Sequence, residues 1–128
     1  MEIEIKKQTT NRPSLLTVAI ESLEKFKAQD IIKIDLSGKT SIADFMLIAS
    51  GTSSRQIRAM AENTVTMIKK NAKVSVNVEG LNQGDWVLID SGDIIIHLFR
   101  PEVREFYNLE KMWQINSIQD TKIENLEI

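Results

Sequence analysis

Two stretches of the sequence repeat apolar residues three and four positions apart, which is the spacing of one face of an α-helix. The first covers Ser14–Lys27 and follows Pro13, a residue type that is favoured at the first position of helices. The second covers Ser54–Lys70, where Ser53 and Gln56 predict a capping box that satisfies two backbone amides at the helix start. We therefore expect two amphipathic helices.

Five shorter stretches either alternate between apolar and polar residues or are apolar throughout, which indicates β-strands. They are Asp30–Leu36, Phe45–Ser50, Val74–Glu79, Trp86–Asp90 and Asp93–Phe99. The second of them is apolar on both faces, which is typical of a central strand. The last two are separated by a short Ser-Gly turn, and this arrangement predicts a β-hairpin.

A final helix is predicted to begin at Pro101. The resulting order α-β-β-α-β-β-β-α predicts an α/β fold in which helices pack on a mixed five-stranded sheet. Two aromatic residues near the end of the final helix, Tyr107 and Trp113, either pack against that sheet or contact a partner. The spacing favours neither alternative.

Composition and charge exclude several classes of protein. The chain has no cysteine, which excludes disulfides, cysteine-ligated metals and thiol nucleophiles. Its single histidine, His97, argues against His-rich metal sites and histidine relays, and its net charge of −2 argues against binding nucleic acid mainly through phosphates. The sequence has no apolar run of membrane-spanning length and no hydrophobic signal-peptide core. We expect a soluble, cytoplasmic protein without a metal or a membrane partner.

The segment Gly51–Ser54 links a predicted buried strand to a helix start, where backbone amides and hydroxyls can hold a phosphate. A glycine-serine turn in this place is also found in nucleotidyltransferases, which need paired acids on a following strand to hold two metal ions. Here that strand offers Asn77 and Glu79, an amide and one acid. A helix cap is the simpler interpretation, and a nucleotide-binding enzyme that uses this turn remains the alternative.

Several polar or aromatic residues lie at or near the predicted hairpin. Trp86 shares a strand face with Asp90 and follows Asp85; it either covers the core or is an interface anchor, since large aromatics dominate binding hot spots. Asp90 and Asp93 flank the turn, where their side chains bond backbone amides or, as an alternative, hold a metal. His97 lies on an apolar strand face, which predicts a core histidine with a hydrogen-bond partner.

Five stretches, in this order and at this spacing, resemble the ribosomal silencing factor family, also called RsfS or Iojap. The stretches are Gln29–Ile31, Asp44–Gln56, Val78–Gly80 with Asp85–Asp90, Gly92–His97, and Arg104–Trp113. The resemblance divides the chain into an N-terminal extension (1–13), the family domain (14–113) and a C-terminal tail (114–128). It also implies a nucleotidyltransferase-like topology without the catalytic acids.

The resemblance implies a protein that is not an enzyme and needs no cofactor. Members of the family bind the large ribosomal subunit through universal large-subunit ribosomal protein fourteen, on the face that meets the small subunit. That position blocks subunit joining and represses translation when nutrients are limiting. Members often self-associate, so a homodimer is also implied. A mildly acidic domain suits this role, because it is attracted to a basic ribosomal protein and repelled by bulk RNA.

The resemblance also implies a set of partner-binding residues. They are Glu79, Asp85, Trp86, Arg104, Tyr107 and Lys111. No catalytic or metal-binding residue is implied, and no sequence-specific contact with nucleic acid.

Overall fold

The computed structural model describes residues 14–108, and its elements follow the predicted order. The helices are α1 (Leu15–Lys25), α2 (Ser54–Asn71) and α3 (Pro101–Tyr107), and the strands are β1 (Gln29–Asp35), β2 (Phe45–Ser50), β3 (Asn77–Glu79), β4 (Trp86–Asp90) and β5 (Ile94–Phe99).

The five strands form one mixed sheet in the order β1-β2-β5-β4-β3. Strands β2 and β5 run parallel, and the other three neighbouring pairs are antiparallel. The hairpin predicted from the Ser-Gly turn is confirmed as the pair β4 and β5. Strand β2 is an interior strand with nearly all its residues buried, while the centre of the sheet is β5.

Helices α1 and α2 cover one face of the sheet and supply its main core. Their buried residues pack against the side chains of β2, β4 and β5 that point to this face; among the largest are Leu23, Leu47, Met60, Ile68 and Leu98. The two helices also share a buried hydrogen-bond network. Ser22 Oγ lies 2.8 Å from Thr64 Oγ1, and Asn63 donates to Ser22 Oγ at 2.7 Å. These bonds satisfy the polar groups that the helix interface buries.

The opposite face of the sheet carries a second apolar cluster, and we call it the Trp86 face. Its buried members are Ile34, Leu36, Ala43, Met46, Ile48, Ile95 and Phe99, and the half-buried Ile32, Trp86, Leu88 and Val103 pack against them. Among the described helices, α3 contributes to this cluster through Val103. The alternation predicted for β4 is confirmed, because Val87 and Ile89 point to the helix-covered face instead.

Several predicted boundaries differ from the observed ones by one to three residues, and the shifts at the third strand and the first helix have identifiable reasons. The third strand was expected to begin at Val74 but begins at Asn77, which pairs with Asp90, the last residue of β4. Residues before Asn77 have no strand beside them, because β4 ends at Asp90 and the chain then bends at Gly92 and Asp93. The first helix starts at Leu15 with Ser14 as its N-cap and ends at Lys25, since Lys27 has a φ of 64°. Pro13 lies outside the described residues.

The capping box predicted at the start of α2 is half right. Ser53 Oγ accepts a hydrogen bond from the Gln56 amide at 3.0 Å, as predicted. The Gln56 side chain does not return to the Ser53 amide; its Oε1 accepts from the Thr52 amide at 2.6 Å. Its Nε2 donates to the Phe26 carbonyl at 2.9 Å. Gln56 thus ties the end of α1 to the turn that precedes α2.

Candidate functional site

Four of the six predicted partner-binding residues have described side chains, and these lie at one end of the sheet. This end holds the carboxyl ends of the parallel strands β2 and β5 and the start of β4, because Phe99 pairs with both Ser50 and Trp86. Backbone hydrogen bonds join the adjoining segments: the Gly51 amide donates to the Phe99 carbonyl, and the Arg100 amide donates to the Asp85 carbonyl, each at 3.0 Å.

Trp86 is half-buried on the Trp86 face, where two aromatic neighbours hold it. Its ring centroid lies 4.9 Å from that of Phe99, with the planes tilted by 44°. Its indole Nε1 donates a hydrogen bond to His97 Nδ1 at 2.9 Å. One part of the indole packs on the cluster, as the core interpretation predicts, and another part remains accessible. The role of interface anchor stays a prediction.

His97 is a buried residue, 8% exposed, whose Nδ1 has a hydrogen-bond partner, as predicted. Its ring stacks on that of Phe99, with centroids 5.8 Å apart and planes within 7° of parallel. Burial lowers the pKa of His97 to about 4, because a charged imidazolium would lose its hydration there. His97 is accordingly neutral at pH 7, as its role as an acceptor requires.

The two acidic residues predicted beside Trp86 are both exposed. Asp85 immediately precedes β4, and its Oδ1 accepts from Ser54 Oγ at 3.4 Å and lies 3.7 Å from Arg100 Nη1. Glu79 pairs with Leu88 across β3 and β4, which places it on the Trp86 face. Asp85 instead contacts the start of α2, the helix that covers the other face, so of the two carboxylates Glu79 is the one on the Trp86 face. An aromatic side chain with a carboxylate on the same face is suited to a partner surface that is both apolar and basic.

Arg104 lies at the same end of the sheet, but its guanidinium is engaged within the protein. Nη1 donates to Ser50 Oγ and Nη2 donates to the Asp30 carbonyl, both at 2.8 Å. It lines a shallow cleft of about 290 Å³ together with Pro101 and Glu105. These bonds give Arg104 a structural role, and its contact with a partner stays a prediction. The side chain of Tyr107 and the whole of Lys111 and Trp113 lie outside the described part of the chain.

The turn Gly51–Ser54 has the contacts of a helix cap. Its amide donors at Gly51 and Thr52 bond the Phe99 carbonyl and the Gln56 side chain, so neither points to an anion. A Cβ added at Gly51 would meet Ile57 Cγ1 at 2.6 Å, and this close packing against α2 requires a glycine. The turn is thus explained by packing and capping.

The hairpin turn also has a structural explanation. Asp90 Oδ1 accepts a hydrogen bond from the Gly92 amide at 2.9 Å, as predicted for turn chemistry. Residues 14–108 contain no group of three or more acidic or histidine side chains placed to hold a metal ion. None of the helices in this part of the chain has the length and hydropathy that a membrane span requires.

Sequence reasoning missed the pairing of Trp86 with His97. The pairing depends on the hairpin register, which places Leu88 opposite His97 and Trp86 opposite Phe99 and so makes Trp86 and His97 diagonal neighbours on one face. The predicted turn did not specify that register. It also missed the bonds from Gln56 to the end of α1, for which the sequence holds no local signal.

Comparison with known proteins identifies the family. A family model described as ribosomal silencing factor during starvation matches residues 9–127. The chain belongs to the ribosomal silencing factor family. Within this family, the chain is 51% identical over 119 residues to the ribosomal silencing factor RsfS of Zymomonas mobilis. The aligned residues make up 92% of this chain and 90% of that relative. The family is named for regulation of ribosomes rather than for catalysis.

More distant similarities extend beyond bacteria and to solved structures. A mouse protein named mitochondrial assembly of ribosomal large subunit protein 1 is 35% identical over 108 residues, 82% of this chain and 47% of that protein. The crystal structure of a Chromobacterium violaceum protein superposes with a TM-score of 0.75 and 40% identity, covering 78% of this chain and 83% of that one. The predicted α/β class and family are confirmed, and the nucleotidyltransferase-like topology stays a prediction.

Proposed function

We propose that this protein binds the large ribosomal subunit through universal large-subunit ribosomal protein fourteen and blocks joining of the small subunit. Translation is thereby repressed when nutrients are limiting. Membership of the ribosomal silencing factor family supports the general role. The name of the mouse relative, which refers to assembly of the ribosomal large subunit, supports the choice of subunit.

The observation that carries the proposal is the arrangement of Trp86, Glu79 and Asp85 at one end of the sheet. Trp86 is half-buried and supported by Phe99, so it is a rigid aromatic anchor that costs little entropy to order on binding. Glu79 is exposed on the same face, and the exposed Asp85 precedes Trp86 at the same end of the sheet. A basic ribosomal protein that offers an apolar pocket complements this surface, and the net charge of −2 disfavours docking on RNA phosphates instead.

Inhibition by this route needs only occupancy. A folded domain on the subunit-joining face excludes the other subunit by volume, so no turnover, cofactor or metal enters the mechanism. The strength of repression then follows the fraction of large subunits occupied, which depends on affinity and on protein concentration.

We also propose the domain bounds, the cellular location and the oligomeric state of the protein. Residues 14–113 form the family domain that binds the subunit, and 1–13 and 114–128 are extensions. The protein acts in the cytoplasm and self-associates as a homodimer. Analytical ultracentrifugation of the full chain over a range of concentrations measures the dimer, and a monomer at all concentrations would remove that part.

Subunit reassociation tests the block itself. Purified large and small subunits are mixed with increasing amounts of the full-length protein, and the joined ribosome is measured by sucrose-gradient sedimentation. We expect the joined peak to fall while the protein sediments with large subunits. An unchanged joined peak at saturating protein would refute the anti-association mechanism.

Variants locate the contact surface. Trp86→Ala should weaken binding to large subunits by about 2 kcal/mol or more, roughly thirtyfold, because it removes the aromatic anchor. The matched control is Ile42→Ser, which removes an exposed apolar side chain in the loop at the other end of β2. Equal affinity of the two variants would place the interface elsewhere.

A direct binding assay tests the identity of the partner. Purified universal large-subunit ribosomal protein fourteen is titrated with wild-type and Trp86→Ala protein by calorimetry. We expect binding that depends on Trp86. If the protein binds large subunits but not the isolated ribosomal protein, the proposed partner is wrong. The proposed block of subunit joining would be unaffected by that result.

A further inference from the structure

The indole of Trp86 is fixed by a hydrogen bond across the hairpin. Trp86 lies opposite Phe99 in the ladder and His97 lies opposite Leu88, so the indole leans along the strand to reach His97. Its Nε1 lies 2.9 Å from His97 Nδ1, and the two ring centroids are 5.9 Å apart. Phe99 lies beside both rings and is fully buried.

This bond uses the one hydrogen-bond donor that an indole has. A partner that contacts Trp86 therefore meets ring carbon rather than an N–H group. His97 itself is 8% exposed, so it has little surface to offer a partner directly. Its effect on binding must pass through the position of Trp86.

We infer that His97 is a positioning residue, which holds the Trp86 indole in its binding orientation and makes it a purely apolar anchor for an apolar site on the partner. The inference rests on the proposed role of Trp86 in binding the large subunit. It follows from the geometry of the Trp86–His97–Phe99 cluster, in which one bond sets the rotation of the indole and one ring supports it. An acceptor group on the partner is not needed.

Two variants separate the hydrogen bond from the volume of the side chain. His97→Leu removes the acceptor and keeps an apolar residue of similar size, whereas His97→Asn retains an acceptor near the place of Nδ1. Ile95→Val is the matched control, because Ile95 lies on the same strand and face as His97 and is also 8% exposed. It pairs with Asp90, at the end of β4 away from Trp86.

Nuclear magnetic resonance on the ¹⁵N-labelled full-length protein tests the bond without ribosomes. Trp113→Phe removes the second indole signal and so assigns Trp86. We expect the Trp86 indole N–H to exchange slowly with water and to show a through-bond ¹⁵N–¹⁵N coupling to His97 Nδ1. Rapid exchange with no coupling would overturn the inference even if the variants failed to fold.

Binding to purified large ribosomal subunits then tests the consequence. We expect His97→Leu to bind about three- to tenfold more weakly, because the Trp86 side chain loses its hydrogen bond and must be ordered on binding. We expect His97→Asn and Ile95→Val to bind nearly as tightly as the wild type. If Trp86→Ala weakens binding and His97→Leu does not, this inference fails and the proposed function stands. If Trp86→Ala binds normally, the proposed contact surface fails, and the inference with it.

Discussion

Arg104 on α3 donates a hydrogen bond to Ser50 Oγ at the end of β2, at 2.8 Å. Its other terminal nitrogen donates to the carbonyl of Asp30, a residue with a φ of 52° in the irregular part of the β1–β2 ladder. One side chain thus ties the last described helix to two strands. Because hydrogen bonds from a charged donor are stronger than neutral ones, this contact stabilises the end of the sheet near Trp86.

Loss of this tie should lower stability. Arg104→Met is expected to reduce the free energy of unfolding by about 1–3 kcal/mol, because it leaves two acceptors without their donor. Arg104→Lys keeps the charge and one donor group, and it should recover part of the loss. Urea denaturation of both variants measures the effect, and wild-type stability of Arg104→Met would contradict the structural role.

Charge reversal beside Trp86 should act on the rate of association with the large subunit. Asp85→Lys or Glu79→Lys is expected to slow association at low salt, and the difference from wild type should shrink as salt rises, because exposed charges are screened. Stopped-flow mixing with labelled large subunits measures the rate. Asp93→Lys, an exposed residue at the other end of β5, is the matched control. Equal slowing by Asp93→Lys would show an effect of net charge alone.

Ser53 should contribute to stability and not to binding. Ser53→Ala removes the acceptor for the Gln56 amide and is expected to cost about 0.5–2 kcal/mol in unfolding free energy. Ser53→Asp restores an acceptor and should recover most of this. Affinity for large subunits, measured on the folded protein, should stay at the wild-type value; a folded Ser53→Ala protein that no longer binds would give the turn a functional role.

His97 should make stability depend on pH. Burial lowers its pKa from 6.5 to about 4 in the folded protein, so the unfolded chain binds more protons between these values. The contribution of neutral His97 is therefore fully present above about pH 6.5 and is lost as pH falls toward 4, by up to about 3 kcal/mol.

The measurement is the difference in unfolding free energy between wild type and His97→Asn, taken by urea denaturation at several pH values. Carboxylates titrate in both proteins and cancel in this difference. The difference should fall by the expected amount as the solution is acidified from pH 7. A difference that does not change with pH would show that His97 is not held neutral by the fold.

The sequence by itself determined the elements, their order and the faces they bury. Helix and strand periodicities are local properties, so the stripe around Met60 and the alternation of Val87 with Leu88 could be assigned without knowing any contact. Five co-linear motifs indicated the family, which the match over residues 9–127 confirms. The cap at Ser53 and the hairpin turn at Asp90 were also predictable, because both are made by neighbours in the chain.

The tertiary structure alone decided what depends on pairing across the chain. The parallel contact of β2 with β5 joins segments far apart in sequence, and it brings Ser50 beside Phe99 and within reach of Arg104. The short β3 follows from where β4 ends, and the bond from Trp86 to His97 follows from the register of the hairpin. Such contacts depend on strand order and register, which arise when the whole core packs, and no local pattern specifies them.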